Sequence, residues 1–518
     1  MGWMKEHYPE IIFLTVVCFI FLVLATHSIT LPGLYSDEAL EPAIAMNIFY
    51  HDEKLFSYVD IQGMDIFAML FPYIGPTEVY SFLPFYYLFG VNLFSVRMAT
   101  IFFGLVEVII FFYFAKEFFN KEIAYIATVL FATMPTVIFY SRQGAYPNHI
   151  ILMPVMLFFL FLLKYLKQKK IIYVYLASFF FGLGFTTKIT FWWLILPLGV
   201  SFFFLKKYLN LDIWQTFVSF DFFCLGAAPL LLYNIASKGG TFVRIFTQSP
   251  SINYHILSNL AVRFTNFTAL LNSNLTEFRF GSRYSTYFLY FFIVAAIFIL
   301  LYSFRHSETR KKNFFIVFLI CSVLLQSIFT VSNLLELHLY LLVPFCLLLA
   351  SEFLYIIYAK KKTLFFIIFV MILGSNIFVV YSYYRILNVT GGTTLMSDTI
   401  YELVDYLQEN NISRPLAVDW GFAYNIRILT DNKVKPFEIF VYPHIEKEYQ
   451  QIFEQLCRSV FINQDNVYIF TDSSTLTYDR FTQFNSIAES MLKKVVLEKT
   501  FYQRDGKPLY LLYRVIDK

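Results

Sequence analysis

Runs of about twenty consecutive apolar residues recur along this chain, each long enough to carry an α-helix across a bilayer, and nothing else constrains its fold as strongly. The first, Glu10 to Ser28, follows a short polar head containing Lys5 and has no small-residue cleavage site behind it, so it reads as a retained signal anchor. Further runs cover Val96–Phe118, Ile123–Tyr140, Ile150–Leu166, Ile171–Thr187, Thr190–Leu205, Trp214–Tyr233, Thr286–Phe304, Asn313–Val331, Leu337–Tyr358 and Thr363–Tyr381. With the first, they predict an α-helical polytopic membrane protein of about 11 transmembrane helices. Composition agrees: 58% of the 518 residues are apolar and only 15% charged, too few polar groups to cover a soluble core of this size.

The formal charge of +4 is spread over short loops, with no basic tract among stacking aromatics, which argues against a nucleic-acid partner. The basic clusters instead report topology. Lys164, Lys167, Lys169 and Lys170, then Lys206 and Lys207, then Arg305, Arg310, Lys311 and Lys312, then Lys360, Lys361 and Lys362 all fall on one side of an eleven-span arrangement, the cytoplasmic side by the positive-inside rule. The loops 29–95 and 234–285, and everything after the last span, are then extracytoplasmic. Four glycosylation sequons, at Asn266, Asn274, Asn388 and Asn411, lie on that outer side. Of the five cysteines, four sit in apolar runs and Cys457 stands alone, so neither a disulfide framework nor a zinc site is expected.

Two domains follow: a transmembrane domain over 1–382 and an extracytoplasmic α/β domain over 383–518, where charges return. In the latter, DTIYELVDYLQENN and IEKEYQQIFEQLC have helical spacing, whereas PLAVDWG, NVYIFTD and PLYLLYRVI read as short buried strands. No phosphate loop, nucleophile elbow or metal-ligand spacing occurs there, so it reads as a lid or acceptor-recognition module.

Chemistry concentrates in LPGLYSDEALEPA, residues 31–43, directly after the first span. Ser36 suits a helix N-cap, which would put Asp37 and Glu38 in the first turn, where the exposed amides favour carboxylates whatever their function. Position adds the functional reading. Glu41 lies one turn beyond Asp37 on the same face, and acids just outside a span can line a cavity at the membrane surface, where a carboxylate can deprotonate an incoming hydroxyl.

SDEALEPAIAMNIFYHDEK resembles the Asp-Glu loop that follows the first span in GT-C-fold glycosyltransferases of the protein O-mannosyltransferase, aminoarabinose transferase and RgtA-like group. FYYLFGVNLFSVRMATIFFGLVEVIIFFYFAKEFF, ATMPTVIFYSRQGAYPNHI and FGLGFTTKITFWW are similar to that group's second span, third span with its following loop, and Gly-rich span ending in Lys. The resemblance implies an enzyme that moves a sugar from a polyprenyl-phosphate donor to an acceptor hydroxyl outside the cytoplasm, the acceptor being a glycan, lipid or protein. On that pattern Asp37 is the general base of an inverting transfer and Glu38 its companion, orienting a neighbouring group. Lys188 and Arg142, both at outer span ends, would contact the donor phosphate; Arg97 reads as a packing residue.

Two departures from the group's pattern bear on the site. The loop after the third span carries Tyr146, Asn148 and His149 in place of an acid, so no cofactor is required and a divalent cation shared between the loops is disfavoured; His149 reads as a hydrogen-bonding group with cation ligation as its alternative. LLELHLYLLVP offers His338 and Tyr340 where relatives have an Arg-Tyr pair. Within spans, Glu107, Asp221 and Glu352 are expected to face the bundle interior or the headgroups, and Arg263, Arg279 and Arg283 of the second outer loop to anchor at the interface. A transporter of polyprenyl-linked sugars is the alternative, although the paired internal repeats of many transporters are not visible.

Overall fold

The computed structural model describes residues 2–144, 150–247, 256–275, 283–330, 334–440, 446–472 and 480–518. Helix α1 (Gly2–Thr26) leads into an irregular loop and then α2 (Ser36–Tyr50), a hairpin of β1 (Ser57–Ile61) and β2 (Met64–Met69), and α3 (Thr77–Phe89). Bundle helices follow: α4 (Leu93–Phe118), α5 (Lys121–Thr133), α6 (Pro135–Arg142), α7 (Leu152–Gln168), α8 (Ile172–Thr187), α9 (Ile195–Leu209), α10 (Ile213–Gly226) and α11 (Ala228–Ala236). The first outer loop is therefore largely structured. Its helices pack through Leu40, Ile44, Val79, Phe82 and Tyr86 onto the start of α4, through Val96 and Ala99.

Local chemistry sets the helix ends. Asn92 caps α4, its side chain accepting from Ser95 N while Ser95 Oγ receives the Asn92 N–H. Asn120 caps α5 in the same way through Ile123 N. The expected single span over Ile123–Tyr140 is broken: α5 and α6 meet at 57°, because Pro135 has no N–H to continue the helix and instead starts a new one. Likewise α10 and α11 meet at 72°, with Pro229 at the start of the second.

Among the described residues, six helices are long and apolar enough to cross a membrane, or eight if each bent pair is one span. Three further expected spans coincide with α7, α8 and α9, of 17, 16 and 15 residues. Close packing shortens what one helix must do alone. A Cβ on Gly182 of α8 would lie 2.1 Å from Phe223 O of α10, and one on Gly226 of α10 2.1 Å from Phe179 O of α8, so two glycines let these backbones touch.

The basic clusters converge at one end of the bundle. Lys167 Nζ bonds Glu117 Oε2 at 2.9 Å, Lys169 Nζ donates to Tyr208 O at 2.6 Å, Lys312 lies 5.7 Å above the Phe119 ring and Lys360 5.4 Å above the Tyr302 ring. Glu10, near the start of α1, pairs with Lys116 and Lys121 at the same end, so the loop after α1 emerges at the other. Inside the bundle Glu107 and Glu352 are buried, the latter accepting from Asn313 at 3.1 Å, while Asp221 is exposed. Arg263 is a correction to interface anchoring. It is buried and donates to Ser327 O at 3.1 Å, tying the Ile256–Leu271 helix to the neighbouring span, whereas Arg283 is exposed and Arg279 lies outside the described residues.

The final span, Lys362–Thr390, runs through the boundary expected at 382/383. After it comes a five-stranded sheet in the order β4-β3-β5-β7-β6, built from β3 (Leu416–Ala417), β4 (Phe437–Glu438), β5 (Val467–Thr471), β6 (Lys493–Tyr502) and β7 (Pro508–Asp517). Strand β3 is parallel to both its neighbours, and β7 runs antiparallel to β5 and β6. Helices Thr399–Glu409 and Glu446–Val460 cover it, as their periodicity predicts. The short helix Ala423–Leu429 faces the membrane domain, with Ile428 in the core shared with α2 and α3.

Candidate active site

The loop from Ser28 to Tyr35 has no regular structure and is nevertheless largely buried, so its carbonyls need partners from elsewhere. Two arginines supply them from below. Arg142 Nη2 donates to Ser28 O at 2.7 Å and Leu31 O at 3.0 Å; Arg97 donates from Nη1 to Ile29 O at 2.6 Å and from Nη2 to Pro32 O at 2.9 Å. The C-terminal domain supplies the rest from above. Tyr401 Oη donates to Thr30 O at 2.6 Å and Asn425 Nδ2 to Leu34 O at 3.2 Å, while Gly33 N donates to Met396 O at 2.8 Å. A side chain at Gly33 would collide with Ser397 O, 2.1 Å from the Cβ position.

This clamp delivers the chain into α2. The N-cap is Tyr35, with extended backbone and no side-chain cap, and Ser36 is the first helical residue; the expected Ser36 cap is corrected because the helix begins one residue earlier than the Ser-x-x pattern predicts. Asp37 and Glu38 occupy the first turn, and successive helical residues point about 100° apart. The two acids therefore enter different environments.

Glu38 turns towards α4. Arg97 Nε donates to its Oε1 at 2.8 Å and Arg97 Nη2 to its Oε2 at 3.0 Å, a bidentate pair in which the arginine has no exposed surface. Glu38 thus holds Arg97, which holds the loop. Arg142 belongs to the same side, its guanidinium 5.1 Å from the Tyr384 ring and fully buried beneath the loop. There the side chain that ends α6 clamps the loop through Nη2, and Nε and Nη1 have no hydrogen-bond partner.

Asp37 is half-buried and shares its face with Glu41, one turn on. Glu41 is 1% exposed, and so is Glu78, from the first turn of α3. Burial pushes the Glu41 carboxyl well above the usual carboxylate range; the charges of Glu78 and Asp37 push the same way, and Lys188 pulls back. Glu78 is likewise raised by burial against the pull of Lys188. Lys188 is buried too, at 3% exposure, and its place is fixed by backbone: extended, it bridges Ile74 antiparallel, while Ile189 N donates to Tyr73 O at 3.0 Å and Thr187 Oγ1 meets Thr77 Oγ1 at 3.2 Å. The close α8–α10 crossing thereby sets a lysine against the α2–α3 pair. His338 stands within electrostatic reach of Lys188, with its Nδ1 3.2 Å from Leu335 N.

The structure thus brings together Asp37, Glu41, Lys188 and His338, and adds Glu78. Tyr340 is fully buried in the bundle interior with its ring 5.0 Å from that of Tyr140. Tyr146 and His149 lie outside the described residues. Among the described residues no three His, Cys, Asp or Glu side chains are grouped to hold a metal ion.

Above Asp37 sits the loop after β3. Gly421 adopts φ +107°, which a side chain strongly disfavours, and a Cβ there would lie 3.7 Å from Ser36 Cβ. The half-buried Trp420 meets Tyr35 edge to face, with ring centroids 6.0 Å apart. Glu438 holds the loop rigid, its Oε1 accepting from Gly421 N at 3.1 Å and from Phe422 N and Ala423 N at 3.0 Å each. Below, Arg427 donates to Asn47 Oδ1 of α2 at 2.8 Å. Nothing in the sequence alone signals Trp420 or Glu78, since one lies in a strand-like stretch and the other looks like an ordinary first-turn acid.

Residues 77–233, which include Glu78 and Lys188, match the family model for dolichyl-phosphate-mannose-protein mannosyltransferases. No curated protein is significantly similar to the chain in sequence. Solved structures are similar in fold. ArnT from Cupriavidus metallidurans bound to undecaprenyl phosphate superposes with a TM-score of 0.58 at 10% identity, covering 98% of each chain. The oligosaccharyltransferase AglB from Archaeoglobus fulgidus, in complex with an inhibitory peptide and a dolichol-phosphate, superposes with a TM-score of 0.54 at 12% identity over 94% of this chain and 71% of that one. These neighbours are transferases, and the transporter alternative finds no support among them. A bundle of apolar spans, with a sheet domain docked on the loop after the first of them, makes this chain a multi-pass membrane protein of the GT-C glycosyltransferase fold.

Proposed function

We propose that the protein transfers a sugar from a polyprenyl-phosphate donor to an acceptor hydroxyl at the extracytoplasmic face of the membrane, with inversion. The observation that carries this reading is the placement of Asp37, half-buried between a buried lysine-bearing cluster in the membrane domain and the Trp420 loop of the C-terminal domain. In the step, the acceptor oxygen attacks the anomeric carbon as its proton passes to Asp37, the bond from that carbon to the phosphate oxygen breaks, and the electron pair leaves on the phosphate. Lys188 meets the charge that develops there, so the scheme uses an ammonium and not a metal as the cation. Binding of polyprenyl phosphates by ArnT and AglB supports the donor class. Convergence of the basic clusters at the end opposite Asp37 supports the extracytoplasmic orientation.

Asp37→Asn is the direct test. With purified protein and a polyprenyl-phosphate sugar, transfer is expected to fall by about 10²–10⁴-fold while expression and thermal stability in detergent stay at the parent level. Transfer retained at the parent rate overturns the reading.

A further inference from the structure

The connections of the C-terminal sheet diverge at one place. Leu416 and Val418 pack with Phe453 and Phe484 on one face, and Ala417 packs with Phe422 and Ile426 on the other. The chain leaving β3 enters the helix Ala423–Leu429 on the second face, and the chain leaving β5 comes to the helix Phe481–Ser490 on the first. Strands β3 and β5 are parallel neighbours, so a crevice opens where their carboxyl ends part, the place at which open α/β sheets hold ligands. Asp419 spans it: Val418 N still donates to Ile469 O at 2.9 Å, and Thr471 N donates to Asp419 Oδ2 at 2.7 Å. Packing sets Arg480 at the same end. Its guanidinium carbon lies 5.8 Å from the Phe440 ring and 4.8 Å from that of Phe453, and Phe440 follows Ile439, whose N donates to Ala417 O at 2.9 Å. Phe481, the next residue, has its ring 5.5 Å from that of Phe470, which precedes Thr471. Thr471 and Arg480 are each 3% exposed. Arg480 Nη1 donates to Gln483 Oε1 at 2.9 Å, but its Nε and Nη2, and Thr471 Oγ1, are buried without a hydrogen-bond partner. Such groups carry a desolvation cost that a ligand's oxygens would recover.

Resting on the reading of Asp37 as the base for an acceptor hydroxyl, we propose that the crevice between β3 and β5 binds a sugar residue of that acceptor, so that the acceptor is a saccharide chain. The groups in the crevice set the ligand class. An oxyanion would meet the Asp419 carboxylate together with Arg480. A sugar instead presents oxygens to Arg480 Nε and Nη2 and hydroxyl protons to acceptor atoms, and Thr471 Oγ1 serves either role. Trp420, the residue after Asp419, adds the aromatic surface that sites for small organic ligands combine with a few placed polar groups. The same residue joins the crevice to the transfer site. Its ring meets that of Tyr35, the N-cap of α2, at 6.0 Å, and the Cβ position of Gly421 lies 3.7 Å from Ser36 Cβ. A saccharide with one residue between β3 and β5 passes Trp420 on its way to Asp37.

The test is saturation-difference NMR on the purified full chain, in a detergent without a sugar headgroup, with the methyl glycosides of mannose, glucose and galactose as probes. Phosphorus line width of inorganic phosphate is measured alongside. At least one glycoside is expected to bind wild type, with Kd raised about tenfold by Arg480→Gln and about threefold by Thr471→Val. Thr471→Val guards against a folding defect: the hydroxyl it removes has no partner in the protein, so the melting temperature should hold or rise. Three outcomes overturn the proposal: no glycoside binds, binding is the same in both variants as in wild type, or phosphate broadens and Arg480→Gln abolishes the broadening, which would make the crevice an anion site. The readout involves no sugar transfer, and Asp37→Asn is expected to bind the glycoside as wild type does. Failure of the crevice therefore leaves the base at Asp37 standing, and transfer retained by Asp37→Asn leaves the crevice standing.

Discussion

The first turn of α2 carries two carboxylates with opposite fates. On one side Glu38 meets Arg97 in a bidentate pair, and Arg97 and Arg142 together bond four carbonyls of the preceding loop. On the other, Glu41 and Glu78 are buried within electrostatic reach of Lys188, and burial raises both carboxyls. In the first arrangement Glu38 and Arg97 satisfy each other's charge, which is what rigid scaffolding requires, while Arg142 keeps Nε and Nη1 without a hydrogen-bond partner. The second gathers buried acids with shifted titration around a lysine, which is the mark of a candidate site. One hundred degrees of helical rotation separates structure from chemistry.

Breaking the balanced side has the largest expected effect on the fold. Arg97→Ala leaves Glu38 buried without its partner and strips donors from Ile29 O and Pro32 O, a loss of about 3–5 kcal/mol. Thermal unfolding in detergent measures it. Arg97→Ala/Glu38→Ala should recover part of that loss by removing the stranded carboxylate, and a single variant as stable as its parent would show that the Glu38 side is not scaffolding. Lys188→Gln addresses the other side. Transfer should drop by about 10²-fold, as for loss of one preorganised group facing developing charge, with stability changed far less than by Arg97→Ala. A collapse in stability with residual transfer intact would reverse the roles assigned to the two sides.

How much of this contrast was readable beforehand depends on the range of the interaction. The spans were legible because length and apolarity are properties of contiguous residues, and even their bends trace to single residues, Pro135 and Pro229. Asp37 and Lys188 were singled out through the order of local motifs along the chain. The bond between Glu38 and Arg97 was not readable because 59 residues separate them, nor was that between Arg142 and the loop, because a cation ending an apolar run gives the same pattern whether it meets lipid, ligand or a neighbouring carbonyl. Glu78 was invisible since a first-turn acid is favoured on any helix. In the tail, β6 was missed because LKKVVLEKTFY interleaves its apolar residues with lysines, and its pairing with β7 overrides the weak local preference.

Trp420 sharpens the comparison at its smallest scale, for it touches the residue that caps α2 from the other domain and belongs to neither charged cluster. Its loop is held by Glu438, through three backbone N–H groups, and by Asp419, whose Oδ2 accepts from Thr471 N at 2.7 Å; the indole itself bears on Tyr35 and is half-buried. Removing the ring therefore takes away a surface without disturbing what holds the backbone. If the acceptor enters between this loop and Asp37, Trp420→Ala should raise the acceptor KM by about three- to tenfold, the worth of one aromatic contact of 0.5–1.5 kcal/mol, with the donor KM and the melting temperature at parent values. Steady-state kinetics with each substrate varied in turn measures the split. A rise in donor KM would move the tryptophan to the lipid-phosphate side of Asp37, and a fall in melting temperature like that of Arg97→Ala would assign it to the clamp that holds the loop.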